Sequence, residues 1–259
     1  MTSIQNNGFL AGLHPLIVKL DPPQLGRDNL GVGCTQHGEQ FLVKEGGDLG
    51  VAEFIGAKIC DACGVPACQP TVITIDHLGS QRNVFGSRIE SGTHKFDQTN
   101  ISDWQEVIGK CVNASAFSAV FAIDLVLGND DRHWNNWIVQ TIKNSNGEEN
   151  YRLRALDFSR SWPTHHPAQH PFNHFSPNTW EATRYWDMLG VKFDLKVFHE
   201  TCSKVSSLKV NWLRSVVLNQ LEGVFLSADD ANRFADWWEA NLQNQVIETI
   251  NSLENGVWI

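Results

Sequence analysis

Between residues 121 and 159 the sequence concentrates side chains that can take a proton, hold a cation and orient a hydroxyl. An apolar run, Phe121-Ala-Ile-Asp-Leu-Val-Leu127, gives way to the polar turn Gly128-Asn-Asp-Asp-Arg-His-Trp-Asn-Asn136 and leaves as apolar Trp137-Ile-Val139. In that turn Asp131 offers a carboxylate, His133 an imidazole that titrates near neutral pH, and Asn136 an amide oxygen. A second apolar strand, Arg152-Leu-Arg-Ala-Leu156, ends at Asp157-Phe-Ser159. A hairpin through the polar stretch Asn144 to Asn150 brings Asn136 and Asp157 to neighbouring strand ends. An amide and a carboxylate so placed are hard oxygen ligands suited to Mg2+. Upstream, Lys44 closes the strand Phe41-Leu-Val-Lys44, Glu53 follows on a helical pattern, and Gly26-Arg-Asp-Asn-Leu-Gly31 is a glycine-bounded turn.

Together these are the parts that phosphoryl transfer requires: a carboxylate near the acceptor hydroxyl, two oxygen ligands for metal, a cation on the phosphates, and backbone donors over them. Asp131 supplies the first, Asn136 and Asp157 the second. Lys44, its charge fixed by Glu53, supplies the third. The turn Gly26, Arg27, Asp28, Asn29 to Gly31 supplies the fourth, because glycines let backbone N–H groups approach an anion. Singly, each residue has an ordinary explanation: a solvated strand-end lysine, a surface glutamate, Asx-turn residues. Order and spacing together favour a site. Asp131 is the preferred base, with His133 its structural or charge-stabilising partner and the alternative proton acceptor. Asp124, inside the apolar run, requires a partner if buried and is expected to brace the turn through Arg132 or His133.

The surrounding elements are legible from periodicity. Strands are expected at 16–20, 32–36, 40–44, 71–75 and 83–89, and a helix at about 49–62, capped by Asp48. After Ser91-Gly92 the pattern turns helical: one or two helices over 102–127, and a long amphipathic helix after the capping sequence Ser227-Ala-Asp-Asp230. The fold class is therefore α+β, with a β-rich front lobe bearing one helix (1–90) and a mostly helical back lobe (91–259).

The order of a V-x-K-like strand, a helix with Glu53, Asp131-Arg-His-x-x-Asn136 and Asp157-Phe-Ser159 resembles the protein-kinase-like superfamily. Asn129-Asp-Asp-Arg-His-Trp-Asn-Asn136 is most similar to the HipA-like kinases, bacterial Ser/Thr kinases that often act as toxins. It also resembles the D-R-H-x-x-N loop of phosphatidylinositol kinases. The resemblance covers roughly residues 24 to 160. It implies a bilobal kinase fold, ATP and Mg2+ as cofactors, Asp131 as the catalytic aspartate, Asn136 and Asp157 as metal ligands, and Lys44 with Glu53 as the phosphate-binding pair. It also implies a hinge at Ser87–Ser91, with Arg88, Ile89 and Glu90 contacting the nucleotide through their backbone. A protein substrate and an antitoxin-like partner are further implications. Three departures stand out: Ser159 replaces the usual glycine, the glycine turn lacks the serine that HipA toxins autophosphorylate, and the chain lacks room for the amino-terminal subdomain of full-length HipA proteins.

Composition narrows the alternatives. The 259 residues carry 20 Lys plus Arg against 29 Asp plus Glu, a net charge of −9, which disfavours a general nucleic-acid binder. No stretch is long and apolar enough to span a bilayer and no signal peptide is visible, so a cytoplasmic location without membrane attachment is expected. The cysteines Cys60, Cys63 and Cys68 lack a matching second pair and are expected to be reduced, buried thiols. The segment Thr164–His174 reads as an irregular acceptor-side loop rather than a zinc site. From Ser159 to Ser176 the only cation is Arg160, which argues against a phosphoinositide headgroup. A lipid or small-molecule kinase and a nucleotide-binding module without turnover are the rival readings.

Overall fold

A computed structural model of the chain describes residues 14–23, 28–77, 79–94, 101–133, 136–161 and 177–255. Its first part is five strands: β1 (Leu16–Asp21), β2 (Asn29–Thr35), β3 (Gln40–Lys44), β4 (Gln69–His77) and β5 (Ser80–Ile89). Their order is β1-β2-β3-β5-β4, and parallel pairing of Leu16 with Thr74 and Ile17 with Ile75 closes them into a barrel. Alternation sorts the faces. Phe41, Val43, Ile73 and Ile75 point into a small core with Ile17 and Val84. Leu42 and Lys44 have the opposite parity, so β3 turns the lysine away from that core.

The helix α1 (Gly47–Cys63) follows β3. Gly46 occupies its N-cap without a side-chain bond, so Asp48 is not the cap. It lies in the first turn, where a carboxylate favours the positive end of the helix dipole. Gly64 ends the helix in the left-handed conformation, φ 71°. Nearly every side chain of α1 after Leu49 is buried down to Ile59, because the helix lies between the barrel and the helices that follow.

After β6 (Thr93–His94) come α2 (Ile101–Gly109) and α3 (Ala116–Leu127), so the helical pattern over 102–127 is two helices. All twelve residues of α3 are buried, Asp124 among them, and it packs against α1, α4 (Pro177–Met188), α5 (Leu195–Ser207) and α8 (Ala228–Glu254). Between α5 and α8 run α6 (Val210–Trp212), a π-helical turn (Leu213–Leu218) and α7 (Asn219–Leu221). Ser227 caps α8 by accepting from the Asp230 N–H at 3.1 Å, as its sequence suggests. The hairpin β7 (Trp137–Lys143) and β8 (Glu149–Ala155) joins β6 in a three-stranded sheet. Trp104, Trp186 and Trp238 are buried in the main core, with Trp212 and Trp237 partly buried against it. Among the described residues no helix is long and apolar enough to cross a membrane.

Candidate active site

The turn that carries Asp131 is held by one buried side chain. Arg132 donates through Nε to Asp124 Oδ2 (2.7 Å) and through Nη2 to Asp124 Oδ1 (2.9 Å). Its Nη1 donates to the carbonyls of Asn136 (3.0 Å) and Leu156. The guanidinium also lies over the rings of Phe158 (4.7 Å) and Trp137 (5.8 Å). Both Arg132 and Asp124 are fully excluded from solvent. Arg132, not His133, is thus the partner Asp124 requires, and it ties the end of α3 to the strand ends that bear Asn136 and Asp157. Thr179 of α4 adds a second tie, donating to the Asn129 carbonyl (2.9 Å) and accepting from the Arg132 N–H (3.2 Å). Nothing in the local sequence pointed to Thr179, because the contact crosses 50 residues.

The hairpin register pairs Trp137 with Ala155, and the Leu156 N–H donates to the Asn136 carbonyl at 3.1 Å. Asn136 and Asp157 therefore come off adjacent strand ends. The Asn136 amide nitrogen donates to the Asp131 carbonyl (2.6 Å), which leaves its oxygen as the atom available to a cation. Asp157 adopts φ 64°, unusual for a residue with a Cβ. Two bonds hold it: Ser159 Oγ donates to Asp157 Oδ1 (2.7 Å), and the next N–H, of Phe158, donates to Glu53 Oε2 (2.9 Å). Ser159, where the resemblance expects glycine, is thus a clamp on the carboxylate.

The Phe158 ring packs directly on α1, where a Cβ on Gly56 would lie 2.4 Å from Phe158 Cγ. Only glycine lets this ring sit against the helix, one turn from Glu53. The result joins three elements at one lysine. Lys44 Nζ pairs with Glu53 Oε1 and, at 2.7 Å, with Asp157 Oδ1. Two carboxylates share one buried ammonium. Burial disfavours the Lys44 charge, but Glu53 and Asp157 outweigh it and raise its pKa. Burial pushes Glu53 up to about 7 against the pull of Lys44, with the Asp157 charge adding to the rise. Burial would also raise Asp157, but Lys44 and the Ser159 hydroxyl hold it below the usual carboxylate range.

The remaining sequence-identified residues sort as follows. Gly26 and Arg27 lie outside the described residues, as does the histidine-bearing segment Thr164–His174. Asn29 stands opposite Lys44 in the β2–β3 ladder, and Asp28 precedes it. Arg88 and Ile89 belong to β5, paired with Phe41 and Gln40. The Arg88 side chain turns outward to Glu39 (3.0 Å), and Glu90 bonds Arg154 of β8 (2.8 Å). Both side chains are thereby committed to protein partners. Asp131 and His133 are half-buried beside Asn136, whose N–H donates to the His133 carbonyl (3.0 Å). Periodicity hid one more feature: Leu42, Cys68, Ile138 and Leu156 form a separate apolar cluster, two residues from Lys44, two from Asn136 and one from Asp157. Leu42 shares the face of β3 that carries Lys44, two residues on, the available but unread signal. Burial raises the Cys68 thiol to about 12 and Cys63 to about 11, which makes them apolar fillers rather than nucleophiles.

Asn136 and Asp157 offer the amide and carboxylate oxygens that Mg2+ takes, and the Asn136 amide nitrogen is the atom committed to the Asp131 carbonyl, so the donor set fits that ion.

No protein-family model matches the sequence, and no curated protein matches it. Among solved structures the chain is similar to the Helicobacter pylori proinflammatory kinase CtkA, with a TM-score of 0.54 and 14% identity, over 93% of this chain and 97% of that one. A looser likeness is to HipA of Shewanella oneidensis MR-1, solved with HipB and operator DNA, with a TM-score of 0.41 and 10% identity. It covers 82% of this chain and 60% of that one, and at such a score two chains need not share a fold. The first likeness is one of fold, and it spans nearly the whole length: the chain has the architecture of a solved kinase.

Proposed function

We propose that the chain is an ATP- and Mg2+-dependent kinase that transfers the γ-phosphoryl group of ATP to a Ser or Thr hydroxyl of a protein. The observation that carries this reading is Lys44 gripped between Glu53 of α1 and Asp157, while Asn136 at the adjacent strand end commits its amide nitrogen to the Asp131 carbonyl. In this reading residues 1–90 form the lobe that covers the nucleotide and residues 91–259 the lobe that carries the catalytic turn. The adenine lies against Leu42, Ile138 and Leu156, with the backbone of Ile89 and Glu90 at its edge.

Each residue then has a task that follows from its place. Lys44 meets the phosphates as a point charge whose direction is fixed by Glu53. Asn136 and Asp157 hold Mg2+, which when bound neutralises charge on the phosphates. Asp131 orients the acceptor hydroxyl and takes its proton, and His133 stabilises the charge beside it. Arg132 touches no reactant. It keeps Asp131, Asn136 and Asp157 in one frame, because transfer depends on positioning and electrostatics.

The test is paired. ATP binding is measured calorimetrically with and without Mg2+, and transfer is followed with ATP labelled at the γ-phosphate. Wild type binds ATP more tightly with Mg2+ and transfers label to protein, whereas Asp157→Ala loses both the Mg2+ effect and the transfer. Binding without transfer to any protein would leave a nucleotide-binding module. A wild-type protein that binds no ATP would end the proposal.

A further inference from the structure

Two charged side chains near the site have been given no task so far. Asp28 and Arg160 form an ion pair with Arg160 Nη2 3.6 Å from Asp28 Oδ2, their side chains 24% and 31% exposed. Asp28 belongs to the turn before β2 and adjoins Asn29, the residue opposite Lys44 in the ladder. Arg160 is the third residue after Asp157, whose carboxylate lies 2.7 Å from Lys44 Nζ. It sits in a turn closed by the Ser161 N–H to the Phe158 carbonyl, 2.9 Å. The pair therefore ties the residue before β2 to the segment after Asp157. From inside outward the charges alternate: Glu53, Lys44, Asp157, then Arg160 and Asp28.

We propose that Arg160 is a second cationic ligand for the nucleotide's phosphates and that Asp28 holds the guanidinium until a phosphate displaces it. This rests on the nucleotide reading of the site. Three observations support it. Lys44 is one ammonium already shared by two carboxylates, so a polyphosphate carries more negative charge than Lys44 alone can meet. The guanidinium fork matches phosphate oxygens, which accept two parallel N–H bonds. At 3.6 Å and partly exposed, the pair is longer than a charge-assisted hydrogen bond and is easily exchanged.

Binding of Mg2+-ATP and of adenosine, which shares the base and ribose but has no phosphate, separates the alternatives. The proteins are wild type, Arg160→Gln, Arg160→Lys and Asp28→Asn, each checked for an unchanged melting temperature. Arg160→Gln should weaken ATP about tenfold, Arg160→Lys should recover part of the loss, and Asp28→Asn should tighten ATP several-fold, a difference of about one power of ten in Kd between pairs. Adenosine affinity should stay within about twofold throughout, as for a site not coupled to the change. If wild type binds ATP but Arg160→Gln and Asp28→Asn bind it equally well, the role of Arg160 is refuted and the nucleotide reading stands. Equal losses for ATP and adenosine in Arg160→Gln would make the residue structural and also refute it. If wild type binds neither ligand, the nucleotide reading fails and this proposal with it.

Discussion

Asp124→Ala strips the carboxylate bonded to the buried guanidinium of Arg132, which keeps its carbonyl partners but loses that counter-charge. Both residues are fully buried, so the charge cannot turn to solvent. Breaking such a pair from one side costs about 3–5 kcal/mol. A chain with the usual net stability of about 5–15 kcal/mol would lose a large fraction of it. Arg132→Met fails differently: it leaves the Asp124 carboxylate with the Asn129 side chain and orphans the carbonyl of Leu156, while that of Asn136 keeps the Leu156 N–H. The orphaned carbonyl costs about 1–3 kcal/mol. The double variant Asp124→Ala with Arg132→Met removes both charges and retains the cost of the Leu156 carbonyl and of the Asn129 amide. It should therefore be less destabilised than the sum of the singles by about 3 kcal/mol. Urea unfolding followed by tryptophan fluorescence and circular dichroism measures all four corners of the cycle. Additive losses, or an Asp124→Ala variant within about 1 kcal/mol of wild type, would refute the brace.

Three further outcomes follow from the same contacts. Lys44→Ala and Glu53→Ala should each impair transfer, and the double variant should lose less than their sum by about 0.5–3 kcal/mol in activation free energy; strictly additive losses would show the pair is not a functional unit. Gly56→Ala should destabilise by about 1–3 kcal/mol through overpacking against Phe158 and should slow transfer, whereas an unchanged melting curve would contradict the close packing of ring and helix. Glu53 has a folded pKa of about 7 against an ordinary 4.5, so the folded state binds the extra proton between those values and this group's contribution to stability falls as pH rises across that window. Glu53→Gln should flatten that part of the stability profile by up to about 3 kcal/mol, and an identical slope in both proteins would contradict the buried, carboxylate-crowded setting.

What the sequence disclosed follows from the range of the interactions. The strand end at Lys44, the helix bearing Glu53 and the hairpin that aligns Asn136 with Asp157 are local patterns of period and turn chemistry, and their geometry is as the residues suggested. Closure of the strands into a barrel depends on β1 meeting β4 across more than fifty residues, which no local pattern encodes. The cap of α1 was misjudged because Gly46 and Gly47 carry the turn while Asp48 enters the first helical turn. Asp124 announced its need for a partner by standing in an apolar helix, but the choice between Arg132 and His133 is made by packing against Phe158 and Trp137. Gly56 and Thr179 gave no signal, since a small residue in a helix and a threonine near a helix start have many ordinary uses. The clamp from Ser159 to Asp157 was visible only as a departure from a resemblance, and its hydrogen bond supplies the reason.

The central claim is tested most directly at Asp131. Purified wild type and Asp131→Asn are incubated with Mg2+ and γ-labelled ATP in a bacterial lysate, and label in phosphoserine and phosphothreonine is quantified beside ATP affinity. The account predicts that Asp131→Asn binds ATP like wild type, because the proposed role of the residue is toward the acceptor rather than the nucleotide. Transfer should fall by at least about 100-fold, the loss expected for a positioned acid–base group. Full transfer by Asp131→Asn would contradict the account, and so would label that never reaches a hydroxyl-bearing side chain of a protein.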